Sequence, residues 1–216
     1  MLGSMIKQFT FNHFEVNCYL VIDEASRKCA IVDPACEASY EDAQLAEYIE
    51  REHLEVTHIL LTHAHVDHIA GLRQACERYK LPVTMHAEGR FLLRQAEAYG
   101  SLMGFAVDRM DDLEVSEIKQ GDTVMVGEIG LVCRYVPGHC PGSMCFVVPQ
   151  DKAVITGDAL FHFSIGRTDL PGGDYPTLIE KLKEQVLTLP DDYRVLPGHG
   201  IESQIGKERK YNSFLT

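Results

Sequence analysis

The sequence has no cysteine pair in CxxC spacing, no run approaching the 18 or more apolar residues of a membrane span, no basic amphipathic stretch, no internal repeat and no low-complexity tract. Each absence closes off a class. Seven cysteines (18, 29, 36, 76, 133, 140 and 145) are an odd number without pairing signatures, so a disulfide framework is not expected. No apolar segment with a cleavage site opens the chain, and reduced thiols in the cytoplasm are the expectation. Cationic side chains are scarce as well: 20 Lys and Arg against 32 Asp and Glu leave a net charge of −12. That balance repels phosphate backbones and anionic lipid. Neither nucleic acid nor membrane is an expected partner; a small molecule is. Oligomeric state leaves no signal.

What is present is an ordinary globular composition. With 216 residues, 45% apolar and 24% charged, the chain fits one domain over 1–216 that buries roughly 70–75% of its unfolded surface without cross-links. Met1 to Ser4, ahead of a second Met, read as an appended leader outside the fold. Three β-rich runs, at about 5–11, 17–23 and 28–33, predict a meander. Ser39 and Asp42 are placed to cap a helix reaching about residue 52. VTHILLT (56–62) reads as a strand buried on both faces, followed by helix at 68–80, strand at 83–86, helix at 88–99 and an irregular stretch over 100–116. Strands follow at about 122–126, 129–136, 143–149 and 152–157, then a Gly- and Pro-rich loop, a helix at 176–188 and a short strand at 195–196. Two strand-rich halves, each finished by helices, predict an α/β fold: an αββα sandwich of two mixed sheets with helices on the outer faces.

The chemistry concentrates where the buried strand ends. THAHVDH places His63, His65, Asp67 and His68 within six residues, with Asp67 and His68 expected in the first turn of the following helix. Three further candidates each end a predicted strand beside glycine: His139 in VPGHCPGS, Asp158 in VITGDALF and His199 in VLPGHG. Imidazoles and carboxylates suit zinc, and also iron or manganese, and no Cys joins the window. Seven ligands fill two positions: His63, His65 and His139 for one divalent ion, Asp67, His68 and His199 for the other, with Asp158 bridging. Two divalent ions, two carboxylates and a hydroxide leave a local charge of about +1, a cationic pit in an acidic protein.

THAHVDH, PGHCPGS, TGDALF and LPGHG, in this order along nearly the whole chain, resemble the metallo-β-lactamase superfamily. Its ligands fall on the seven positions named. Asp158 at the bridging position is similar to the glyoxalase II branch, where zinc β-lactamases carry Cys. GRTDLPGGD (166–174) and IGKERKYNSFL (205–215) resemble the short bacterial glyoxalase II-like hydrolases. The resemblance implies a thioester hydrolase of hydroxyacylglutathione hydrolase type, with two divalent ions, most simply zinc. The larger enzymes add a helical domain that contacts glutathione, whereas 17 residues follow His199 here, so glutathione recognition is not implied.

The ligand set supplies a metal-bridging hydroxide as nucleophile, with Asp67 orienting it toward the acyl carbon. Asp33, in AIVDPA, is placed to accept a hydrogen bond from a ligand imidazole. Arg167 is read as pairing with Asp169 or Asp174, with a substrate carboxylate as the alternative, and His162 as a residue of the pocket mouth. His58 is read as a core histidine and Cys140 as packing. A persulfide dioxygenase using one iron on His63, His139 and Asp158 is the alternative function.

Overall fold

A computed structural model describes residues 3–216. The strands β1 (Ser4–Phe11), β2 (Val16–Asp23) and β3 (Lys28–Val32) form the expected meander, and α1 (Ser39–Arg51) follows. Then come β4 (Glu55–Leu60), α2 (Leu72–Tyr79), β5 (Val83–His86), α3 (Arg90–Met103) and β6 (Val115–Ile118). These six strands make one sheet in sequence order, antiparallel at β1-β2-β3 and parallel from β3 to β6. The second sheet is built from β7 (Thr123–Val126), β8 (Ile129–Tyr135), β9 (Met144–Val148), β10 (Ala153–Gly157), β13 (Arg194–Pro197) and β14 (Ser203–Gln204), in the order β14-β13-β10-β9-β8-β7. A small hairpin, β11 (Leu160–Phe161) and β12 (Ser164–Ile165), precedes α4 (Tyr175–Lys181), and α5 (Ile205–Tyr211) closes the chain.

Side-chain alternation makes the layers. In β2, Tyr19 and Val21 enter the core between the sheets with Leu131, Phe146 and Ile155, while Cys18, Leu20 and Ile22 pack outward against Leu45 and Ile49 of α1. In β4, Leu60 faces inward and Ile59 outward toward Leu72 of α2 and Leu93 of α3. Leu178, Leu182 and Ile205 cover the outer face of the second sheet. The αββα sandwich of mixed sheets is the observed architecture. All seven cysteines are buried and unpaired, and among the described residues no helix is long and apolar enough to cross a membrane.

Several boundaries differ from expectation. Ser4 of β1 pairs with Asp23 of β2 and so belongs to the sheet, and just before it the Gly3 carbonyl accepts the Glu24 N–H at 3.0 Å, because backbone bonds need no apolar side chain; Met1 and Leu2 lie outside the described residues. The cap of α1 is Glu41, whose carboxylate accepts the N–H groups of Glu37 and Ala38 at 2.8 and 3.0 Å, in place of Ser39. α2 starts at Leu72, because residues 66–71 form successive turns tied by Gly71 N–H to the Pro34 carbonyl at 2.9 Å. The helix expected over 176–188 is α4 continued by a single π-helical turn at Leu182–Val186.

Candidate metal centre

Four connections leaving β4, β8, β10 and β13 converge at one edge of the sandwich. The segment after β4 carries His63, His65, Asp67 and His68, and the other three carry His139, Asp158 and His199. Their ligand atoms form three overlapping triads, each within 4.8 Å: His63, His65 and His139; His63, His68 and Asp158; Asp67, His68 and His199. The Asp158 carboxylate faces both sides of the cluster. Its Oδ1 lies 3.2 Å from His68 Nε2, and its Oδ2 lies 3.6 Å from His199 Nε2 and 3.7 Å from His139 Nε2. Asp67 Oδ2 is 3.2 Å from His199 Nε2 and 3.7 Å from His68 Nε2.

The imidazoles are held from behind, which fixes the nitrogen each turns inward. Asp33 Oδ2 lies 3.0 Å from His68 Nδ1, the Arg167 carbonyl 2.8 Å from His139 Nδ1 and the Phe14 carbonyl 2.9 Å from His199 Nδ1. Asp33 also accepts the Thr62 N–H at 2.7 Å and the Thr62 hydroxyl at 2.6 Å. Glycines admit this density. A Cβ on Gly198 would sit 2.7 Å from His68 Cε1 and collide with Asp158 Oδ1, and one on Gly166 would collide with the Asp158 carbonyl.

These donors fit one or two divalent cations. His63 Nε2, His68 Nε2 and Asp158 Oδ1 are buried without a hydrogen-bond partner and lie within 4.8 Å of one another, a costly arrangement unless bound cations receive them. The electrostatics divide the cluster. Burial pushes the His65 imidazole down to about 4, assisted by its neighbour His139, and burial and the facing His68 hold His63 well below the ordinary histidine range. Burial opposes charge on His68 and His199 too, but carboxylates overcome it and raise both: Asp158, Asp67 and Asp33 around His68, Asp67 and Asp158 around His199. Asp158, buried among His68, His63 and His139, stays ionised far below the carboxylate range.

A cavity of about 250 Å³ opens onto the centre. His65, Asp67, His139, Asp158 and His199 form its floor, and α3 forms one wall through Phe91, Leu92, Gln95, Ala96, Tyr99 and Met103. Among the other residues singled out in the sequence, Arg167 lines the cavity with its guanidinium forked onto Asp169 at 2.8 Å twice. His162 does not line it: it turns the β11–β12 hairpin with its ring against Phe163, 4.1 Å between centroids. His58 lies mid-strand in β4 but is only half-buried, outside the core, and hydrogen-bonds the Thr57 hydroxyl at 3.0 Å. Cys140 is buried beside Ser143, and burial pushes its thiol up to about 12, which removes it as a nucleophile. The carbonyls of Phe14 and Arg167 and the α3 wall went unread in the sequence. A main-chain acceptor leaves no residue-type signal, whereas the four-residue spacing of Phe91, Gln95, Tyr99 and Met103 was there to find.

The chain is 34% identical to hydroxyacylglutathione hydrolase GloC of Haemophilus influenzae, over 94% of this chain and 93% of that protein. It is 32% identical to the human mitochondrial persulfide dioxygenase ETHE1, over 92% of this chain and 70% of the relative. Among solved structures, BLEG-1 B3 metallo-β-lactamase superposes with a TM-score of 0.88 at 30% identity, covering 98% of this chain and all of that one (100%). TTHA1623, in a di-iron-bound form, superposes with a TM-score of 0.84 at 33% identity, covering 97% of this chain and 100% of the other. The metallo-beta-lactamase superfamily model matches residues 12–199, a span that contains all seven converging side chains, and the chain belongs to that superfamily.

Proposed function

We propose that the protein is a two-metal thioester hydrolase of glyoxalase II type, with one divalent ion on His63, His65 and His139, a second on Asp67, His68 and His199, and Asp158 between them. The observation that carries this reading is Asp158, whose carboxylate lies 3.7 Å from His139 of one triad and 3.2 and 3.6 Å from His68 and His199 of the other, while both outer triads are complete. When bound, the two ions supply a water-derived nucleophile at neutral pH and polarise the acyl carbonyl. The protein's own groups orient and exclude. Asp67, on the cavity floor, accepts a hydrogen bond from the attacking water and aims it at the acyl carbon. Asp33 and the Phe14 and Arg167 carbonyls keep three imidazoles in one tautomer, and the α3 wall keeps bulk water from the reacting atoms. Unpaired thiols throughout the interior agree with a reducing, cytoplasmic setting.

The test is thiol release from S-D-lactoylglutathione and from S-hexanoyl-N-acetylcysteamine by the purified protein in air, with metals counted on the same sample. Two ions per chain and a kcat/KM of about 10⁴ M⁻¹s⁻¹ or more on either thioester are expected. The 32% identity to a persulfide dioxygenase supports a second reading. One iron per chain, no thiol release and oxygen uptake with glutathione persulfide would establish that one instead.

A further inference from the structure

α3 presents Phe91, Gln95, Tyr99 and Met103 to the cavity, four residues apart and therefore one ridge along the helix. Three of the four are large and apolar or aromatic. Phe14, Leu170 and Pro171 contribute further apolar lining. At the rim Phe14 and Met103 stand 41% and 40% exposed, and the adjoining Leu102 79%, so the apolar surface continues outward. Apart from the histidines of the floor, Arg167 is the one basic side chain lining the cavity among the described residues, and its Nε and Nη2 are already paired with the Asp169 carboxylate. A ligand with two carboxylates, such as a glutathione conjugate, finds a single cationic side chain on these walls, itself already paired with an aspartate, on a chain of net charge −12.

We propose that the α3 ridge selects the acyl group: the substrate is a thioester of a short, uncharged, apolar acyl chain that lies along Phe91, Gln95, Tyr99 and Met103, and its thiol carrier needs no anionic groups for recognition. This rests on the thioester hydrolase reading. In the reaction water forms the new acyl C–O bond, the C–S bond breaks, and the departing thiolate takes up a proton to give the free thiol and a carboxylic acid. The volume, about 250 Å³, lies just under the roughly 300 to 1,000 Å³ typical of pockets for drug-sized ligands, which suits a chain of a few carbons. Each methylene buried on such a wall tightens binding about fourfold.

Binding and turnover are measured separately on the metal-loaded protein. Calorimetry compares four inert thioethers, S-methyl and S-hexyl derivatives of N-acetylcysteamine and of glutathione. S-hexyl is expected to bind at least tenfold tighter than S-methyl on either thiol, and exchange of N-acetylcysteamine for glutathione to change affinity by less than threefold. Tyr99→Ala is expected to weaken S-hexyl binding at least fivefold, with Tyr99→Phe retaining it. A hexyl preference below tenfold, or a gain of threefold or more from glutathione, overturns the proposal. Should Tyr99→Ala fail to fold, those two wild-type ratios still decide. If the apolar thioethers bind as expected and no acyl thioester is hydrolysed, the pocket assignment stands and the hydrolase reading falls.

Discussion

Asp33 commits both carboxylate oxygens to neighbours: one to the Thr62 N–H, the other to the Thr62 hydroxyl and the His68 ring. It also adopts a left-handed backbone (φ 54°), a conformation that Asp and Asn tolerate better than most residues. Asp33→Ala leaves buried donors unpaired and a ligand ring unanchored. A stability loss of about 1–3 kcal/mol and a 10–100-fold loss of metal affinity are expected, read by chemical denaturation and by competition with a chelator. A change in metal affinity of less than threefold would count against the anchoring role. At Asp158 the effect should be larger: Asp158→Ala is expected to lower metal content to one ion or none per chain and turnover by at least about 10³-fold. Unchanged metal content in that variant would refute the bridging assignment. The side chains of the centre were legible in the sequence because three histidines and an aspartate within six residues, and a His or Asp beside glycine at three further strand ends, are distinctive types in distinctive places. Their supports were legible only in part. Asp33 carries a signal of its own, but Phe14 and Arg167 act through backbone carbonyls that any residue would offer.

At the scale of elements, the last helix fastens the hairpin that follows Asp158. Glu208 of α5 is fully buried, and its carboxylate accepts the Phe163 N–H at 3.1 Å on each oxygen, the Asn212 amide at 2.8 Å and the Ser203 hydroxyl. Glu208→Ala strands these donors, and a loss of about 3 kcal/mol is expected in urea unfolding. A loss under about 1 kcal/mol would mean that water or a repacked side chain satisfies them. Neither the hairpin nor α5 was legible, because strands of two residues and a helix of seven offer no periodicity to count. β6 was hidden in a stretch rich in acids, since VSEI has one buried residue and joins the sheet through its backbone ladder with β5. The long strands were legible as unbroken β-rich apolar runs buried on both faces or as alternating ones, and α1 by its single apolar stripe, and those faces became the layers of the sandwich.

For the molecule as a whole, acidity should release the two metal positions at different pH. His68 and His199 have pKa values raised above 6.5, so protons compete for them already near neutrality and more strongly as pH falls. His63 and His65 are held neutral by burial, His65 down to about 4. Metal content of the loaded protein is therefore expected to fall in two steps, the Asp67, His68 and His199 position emptying first and the His63, His65 and His139 position persisting to lower pH. Elemental analysis after equilibration at each pH checks this, and loss of both ions in one step would contradict it.

Every strand of the first sheet lies in residues 4–118 and every strand of the second in 123–204, so each half of the chain owns one sheet and its own share of the centre. His63, His65, Asp67 and His68 belong to the first half, His139, Asp158 and His199 to the second, and the exposed turn at 119–121 joins them. Cutting that turn would yield two fragments, neither holding a complete set of donors for two ions. Their reunion would then be driven in part by whichever ion best bridges the seam. Coupled to a split reporter, such a pair would rank metals by their power to reassemble the protein, with no substrate in the tube.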